Sequence, residues 1–378
     1  MFFEKNNRES FLKQYNRLSA ALLKDLLKNA PEENVIISPF SILMLLTIAA
    51  ESTSGETKSQ ITDYLCGKMD YQSFLNEMLN SGNAISGKKF RSANVVCVNS
   101  KIRDSVSEEY INYVNSILHG KFFSSGDIVR DVNEWVKEIT GGKIDQIADD
   151  SVNNALLCLL NAVTFTDKWD IPYDKYDVED DFFTSFDGKA RTCRMMKRTE
   201  HNYVEDRSFT GFTKYYKNGT FSFMALLPKE EGKEKLIRML SNRNFSEIYK
   251  NRRSVPVRTS LPKFKYGSSA DLTAYCKRSG IEKLFLPHAD FSPVTPENLM
   301  ADSVAHKAYI EVNEKGTSAR AATVMLAMAG ALPHKVYDVH LDRPFIFAVI
   351  HDETMLPVFL GAVSYIDKNA EIINSEPH

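Results

Sequence analysis

The stretch Glu314–His334, EKGTSARAATVMLAMAGALPH, carries the decision about this chain. Its fifteen residues from Thr317 to Ala331 hold one charge, ten small side chains and no aromatic. They are too small to make good core, and too apolar for a linker, which is rich in Gly, Ser and Pro. Alanine favours helix, yet Thr317, Ala319, Ala321 and Thr323 alternate like one face of a strand. Two readings stand at this point: an Ala-rich buried helix over 317–331, or a segment able to take more than one conformation.

The 378 residues are 43% hydrophobic and 25% charged, the balance of an ordinary globular protein. A formal net charge of −2 gives no footprint for nucleic acid or an anionic membrane. The short basic clusters, Lys88-Lys89 with Arg91 and Arg252-Arg253, read as solvated faces. Cys66, Cys97, Cys158, Cys193 and Cys276 are scattered, with no C-x-x-C pair and no His at metal-ligand spacing. They are expected to be free, buried thiols, and no metal or other cofactor is implied. The N-terminal MFFEKNNRES lacks the apolar core of a signal peptide, so the compartment stays open: extracellular if a leader is removed, otherwise cytoplasmic. Asn218-Gly219-Thr220 and Asn244-Phe245-Ser246 match the glycosylation triplet, which matters only on a secretory route.

Phe11, Tyr15, Leu18, Leu22 and Leu26 predict a first helix, with Ser10 as its cap and Pro31 after its end. Val35 to Ile37 read as a short buried strand, and Ser38-Pro39 as the cap and first turn of a central helix that is apolar nearly all round. Further strands are predicted at Ala93–Val98, Ala155–Thr166, Ser303–Asn313, Pro344–Ile350 and Val358–Ile366, with Gly361 a candidate bulge. Helices are predicted at Glu108–Leu118 and Asp131–Thr140, the second stopped by Gly141-Gly142. Tyr215–Phe221 carries Asn-Gly and reads as a hairpin. Strands and helices mix without a βαβ rhythm, which favours α+β. No Pro/Gly/Ser-rich stretch divides the chain, so residues 1–378 read as one domain.

Enzymatic tools are looked for and not found. There is no G-x-S-x-G, H-E-x-x-H or G-x-G-x-x-G. Gly82, Gly87 and Lys88 approach a phosphate loop, but Lys89 stands where Ser or Thr is needed and the preceding YQSFLNEMLN reads as helix. Asp177, Glu179, Asp180 and Asp181 are contiguous and read as a solvated loop; paired catalytic carboxylates come from separate elements. His306, alone in SVAHKAYIEV, reads as a buried structural histidine.

Five phrases, in order, resemble the serpin family: NVIISPFSI at 34–42, NAVTFTDKW at 161–169, ADFSPVT at 289–295, HKAYIEVNEKGTSA at 306–319 and DRPFIFAVIHDETMLPVFLGAV at 342–363. The resemblance implies three β-sheets, about eight or nine helices and an exposed reactive loop, here within 314–341. It also implies a protease inhibitor and not an enzyme: a monomer whose partner is a target serine protease, or in some members a cysteine protease. In that family the protease acylates itself on the loop, which then inserts into the main sheet as a new strand and stalls deacylation.

Carried onto these residues, Glu314, Lys315 and Gly316 match the hinge, and Thr317, Ser318, Ala319, Ala321 and Thr323 the inserting segment. Thr317, Ala319, Ala321 and Thr323 would face one way, all small and uncharged. Arg320 departs from the family's run of small residues but falls on the opposite face. The family's usual interval puts the cut between Gly330 and Ala331, with Met328 or Ala329 as alternatives. Uncharged candidates of this size disfavour a trypsin-like enzyme and suit an elastase-like one, then a subtilisin-like one. Ser38, Ser41, Asn161 and His306 match a polar cluster beneath the point where the sheet opens, and Trp169 a residue packed beside that opening. The alternative is a non-inhibitory member acting as a carrier or chaperone-like binding protein, which large or charged inward residues at the hinge would betray.

Overall fold

The structure is a computed structural model and describes residues 2–29, 34–316 and 335–366. In chain order the first half gives α1 (Phe2–Asn29), β1 (Val35–Ile37), α2 (Pro39–Glu51), α3 (Gly55–Cys66), α4 (Tyr71–Ile85), β2 (Phe90–Val98), α5 (Glu108–Ser116), β3 (Gly120–Phe123), α6 (Ile128–Ile139) and β4 (Leu157–Phe165). Strands dominate the second half: β5 (Val178–Thr184), β6 (Ala190–Glu200), β7 (Tyr203–Glu205), β8 (Phe209–Tyr215), β9 (Phe221–Pro228), β10 (Val257–Pro262), β11 (Phe264–Asp271), β12 (Ala301–Val312), β13 (Tyr337–His340), β14 (Phe345–His351) and β15 (Leu356–Val363).

Three sheets form among the described residues, in the orders β11-β12-β4-β2-β3, β1-β15-β14-β9-β8-β7 and β13-β10-β6-β5. The α+β expectation holds. α2 lies in the centre, with residues 39–50 all buried, as an all-round apolar helix must. β4 is the middle strand of the five-stranded sheet and every one of its residues is buried. It pairs antiparallel with β2 and parallel with β12. The core face of β4 and β12 carries Leu159, Val163, Phe165, Val304, Ala308 and Ile310. On the outer face, Ile128, Val132 and Val136 of α6 share one apolar cluster with Val95 of β2, Leu160 and Ala162 of β4, and Tyr309 of β12. α6 lies over β2 and β3, beside the β4–β12 seam. All five cysteines are free and buried.

Several local expectations change. α1 begins at Phe2, so Ser10 sits inside the helix instead of capping it. The residues ahead of Phe11 lie upstream of the apolar stripe that periodicity can detect. The acidic run 177–181 is mostly strand, not loop: β5 edges its sheet, and its acids pair with cross-strand bases. Lys197 meets Glu179 and Asp181 at 2.6 Å each, and Arg194 meets Asp180 at 3.3 Å. An edge strand is where such charges discourage stray pairing. Asn218 and Gly219 take positive φ angles of 69° and 61°, as the Asn-Gly hairpin reading requires.

Gly361 is not a bulge. It pairs in register with Ile36 and Phe347, and the irregularity lies instead between Val349 and Ile350. A Cβ on Gly361 would stand 2.4 Å from the Phe347 ring. The glycine is there because an aromatic ring lies across its backbone. Gly361→Ala is therefore expected to cost about 1–3 kcal/mol by overpacking, readable as a lowered midpoint in urea unfolding.

Candidate functional site

The seam between β12 and β4 is closed directly: Val304 to Tyr309 pair with Leu159 to Thr164, and no strand stands between them. At its middle, His306 sits opposite Asn161 in the ladder. His306 Nδ1 lies 2.8 Å from Asn161 Oδ1, and the backbone N–H of Ser38 reaches His306 Nε2 at 3.1 Å. An acceptor on one side and a donor on the other fix the tautomer: Nδ1 carries the proton and Nε2 accepts. Asn161 Nδ2 donates to Asn94 Oδ1 at 2.7 Å and Ser92 Oγ at 3.0 Å. Ser92 Oγ meets Ser41 Oγ at 2.9 Å, and Ser38 Oγ donates to Ser41 Oγ at 3.0 Å. Ser38 also caps α2 by accepting from the Ser41 N–H. The cluster thus joins β12, β4, β2 and the start of α2. Burial alone pulls the His306 imidazole down to about 3, so it is neutral wherever the protein is folded at moderate pH.

The upper end of the seam is built differently. Trp169 stacks on Tyr216 at 4.3 Å and meets the edge of Phe223. Its indole N–H donates to the Asn313 carbonyl at 2.8 Å, its backbone N–H to Lys315 O at 3.3 Å, and the Tyr173 N–H to Glu314 O at 2.9 Å. The backbone of 313–315, where the resemblance puts the hinge, is therefore held by the 169–173 segment. Lys263 Nζ reaches Glu314 Oε2 at 2.6 Å. Burial pushes the Glu314 carboxyl up, but the Lys263 ammonium more than reverses this and leaves it below its ordinary value. Gly316 bridges to both Lys168 and Asn313. It has φ +78°, and a Cβ there would lie 2.2 Å from the Trp169 nitrogen. Glycine is needed here for a left-handed backbone pressed against another chain segment, more than for freedom to turn.

A family model described as Serpin (serine protease inhibitor) matches residues 13–366. The chain belongs to the serpin family. Leukocyte elastase inhibitor A of Mus musculus is 28% identical over 366 residues, which span 90% of this chain and 96% of that one. The native-state crystal structure of tengpin, a thermophilic serpin, shares 30% identity and a TM-score of 0.82, covering 93% of this chain and 94% of tengpin. Thyroxine-binding globulin in complex with thyroxine has the same fold at a TM-score of 0.82, with 22% identity over 94% of this chain and 99% of its own.

Of the residues singled out in the sequence, Ser38, Ser41, Asn161 and His306 come together in one hydrogen-bonded group. Trp169 does not join them; it belongs to the hinge end with Glu314, Lys315 and Gly316. Thr317, Ser318, Ala319, Arg320, Ala321, Thr323, Met328, Ala329, Gly330 and Ala331 lie outside the described residues. Sequence reasoning missed Ser92 and Asn94. Their signal was present: two polar residues at period two at the start of a strand that is apolar from Val95 onward. It also missed Lys263, Tyr173 and Lys214, which carry no local pattern.

The neutral His306 makes a pH prediction with a definite sign. Its folded value lies below its unfolded one, so its contribution to stability is complete above about pH 6.5 and is lost as pH falls from there toward 3, at up to about 1.4 kcal/mol per pH unit. His119 and His351 are also lowered by burial and add to the same slope. Urea unfolding of the native protein and His306→Gln between pH 7.5 and 5 is expected to give curves that converge toward acid; parallel curves would show that His306 is not buried neutral.

Proposed function

We propose that this serpin is an irreversible suicide inhibitor of serine proteases, with an elastase-like enzyme as target. The cleaved loop enters the β12–β4 seam and the acyl-enzyme is trapped. One observation carries this reading. The antiparallel bridges Asn313↔Gly316 and Lys168↔Gly316, just past the ends of β12 and β4, set a register for a strand that would enter between them. Continued in register, they set Thr317 opposite Val312 and Ala319 opposite Ile310, and bring Ala321 between Ala308 and Val163. Thr323 comes between His306 and Asn161. These neighbours all face the core. The same register turns Ser318, Arg320 and Ala322 to the outer face and puts Arg320 between Tyr309 and Thr164.

The fit is chemical as well as geometric. The inward row is small and uncharged, so nothing costly is desolvated. Thr323 would bring a hydroxyl to the point where the His306–Asn161 bond is split, which supplies a donor and an acceptor to two groups otherwise left buried and unpaired. The register brings Ala327 to Leu157, the first residue of β4, about 35 Å from the hinge at roughly 3.3 Å per residue. Gly330–Ala331 would then lie just beyond the far end of the seam, and the bound protease with it. An open seam filled by a strand gains ladder hydrogen bonds and buried area, so the uncut form is held kinetically. A carrier has no need of an insertable small face, and this favours inhibition.

Incubation with pancreatic elastase is expected to give an adduct stable in SDS, with mass spectrometry placing the released C-terminal fragment's start at Ala331; complete cleavage with no adduct would count against inhibition. A pair of loop variants tests the register. Ala319→Arg would put a guanidinium on the core face and is expected to convert the inhibitor into a substrate, with at least about a tenfold loss of adduct per loop cleaved. Arg320→Ala is expected to leave adduct yield unchanged.

A further inference from the structure

Lys214 is a lysine where none is expected. It lies on β8, 3% exposed, with its ammonium 2.6 Å from Glu200 Oε1 of β6. The same ammonium stands 4.5 Å from the centre of the Tyr173 ring and 5.6 Å from that of Trp169. Those two rings belong to the segment that holds the hinge, through the bonds from Trp169 to Asn313 and Lys315 and from Tyr173 to Glu314. One face of the ion pair is therefore the floor under the N-terminal end of the loop region.

The other partner points to the opposite end. Glu200 pairs in register with Val257 of β10, and Val257 pairs with Tyr337, the first residue of β13. β13 begins three residues after the undescribed segment ends. Glu200, Val257 and Tyr337 form one row across the four-stranded sheet. The next inward-facing row repeats the link: Arg198 donates to the Pro172 carbonyl at 2.7 Å, accepts Thr259 Oγ1 on its own carbonyl, and Thr259 pairs with Val339 of β13. Two strand rows thus run from the strand that follows the loop to the segment that grips the strand before it.

We propose that the buried Lys214–Glu200 pair couples the two ends of the reactive loop, so that the hinge stays closed while β13 remains in its sheet and loosens when β13 does. A surface ion pair could not do this, because water would screen it. A buried pair can, because separating the charges leaves each without compensation. The loop's role in this inference rests on the inhibitory reading above; the coupling itself is a property of the uncut molecule. It makes Lys214 a positioning residue for insertion, acting through Tyr173 and Trp169.

Hydrogen exchange on the full-length, uncut protein tests it. Glu200→Gln keeps the shape of the side chain and removes its charge; Lys214→Met removes the other. In either variant, exchange is expected to quicken at least about tenfold at two separated places together: the Tyr173 amide bonded to Glu314 O, and the Tyr337 and Leu341 amides bonded to Pro256 O and Ser260 O. Exchange in β14 and β15 is expected to stay as it was, and Lys229→Met, which removes a comparable but exposed pair with Glu205, to change neither place. Faster exchange confined to β8 and 169–173 would reduce the pair to local packing and overturn the coupling, as would no change at all. No protease enters this experiment. Failure to form an elastase adduct would overturn the inhibitory reading alone, and uncoupled exchange would overturn the coupling alone.

Discussion

Everything in this molecule turns on a parallel pairing that is complete but need not be final. β12 and β4 are hydrogen-bonded to each other along their length, and parallel ladders are slightly weaker per residue than antiparallel ones. Around the seam the structure adds closures of two kinds. His306 and Asn161 bond across its middle, and Trp169 with Tyr173 clamps its upper end. Neither closure is a covalent bond or a large apolar cluster. Each is a small number of directed contacts, which can be broken and remade at modest cost.

How much of this was legible follows from what each residue is asked to do. The strand at Ala155–Thr166 and the helix after Ser38-Pro39 announce themselves, because continuous burial forces continuous apolar sequence. The hairpin at Asn218-Gly219 does so as well, since positive φ angles restrict the choice of residue. Boundaries were less visible: α1 extends eight residues ahead of Ser10, and β5 hides inside an acidic run. There an edge strand's exposed face takes charges, and alternation is masked when both kinds of position are polar. Ser38, Ser41, Asn161 and His306 were grouped only through their resemblance to family phrases. Nothing in the local spacing of four residues spread over 38–306 says that they meet.

Lys214 marks the limit of sequence reading more sharply. In KYYKNG it looks like one of several hairpin lysines, and a solvated face is the better guess for any of them. Its burial depends on Glu200, fourteen residues earlier, on a strand of another sheet. Gly316 is the reverse case. Only the family resemblance singles it out in the sequence, whereas the structure gives a physical reason for glycine: the chain there is turned through a positive φ against Lys168 and Trp169.

The distribution of charge around the seam follows from what insertion would do to it. A strand entering between β12 and β4 passes directly between His306 and Asn161. An ion pair at that place would be split in the core, leaving two uncompensated charges at a cost of several kcal/mol. A neutral imidazole and an amide can instead each turn to a newcomer's hydroxyl or backbone, because each has both a donor and an acceptor to offer. The charged pairs sit where no strand has to pass. Lys214–Glu200 lies beneath Tyr173 and Trp169, and Lys263–Glu314 at the turn of the hinge. Polarity without charge at the core-facing midpoint of the path, with charged pairs set at its entrance, is the arrangement that keeps a sheet closed without making it impossible to open.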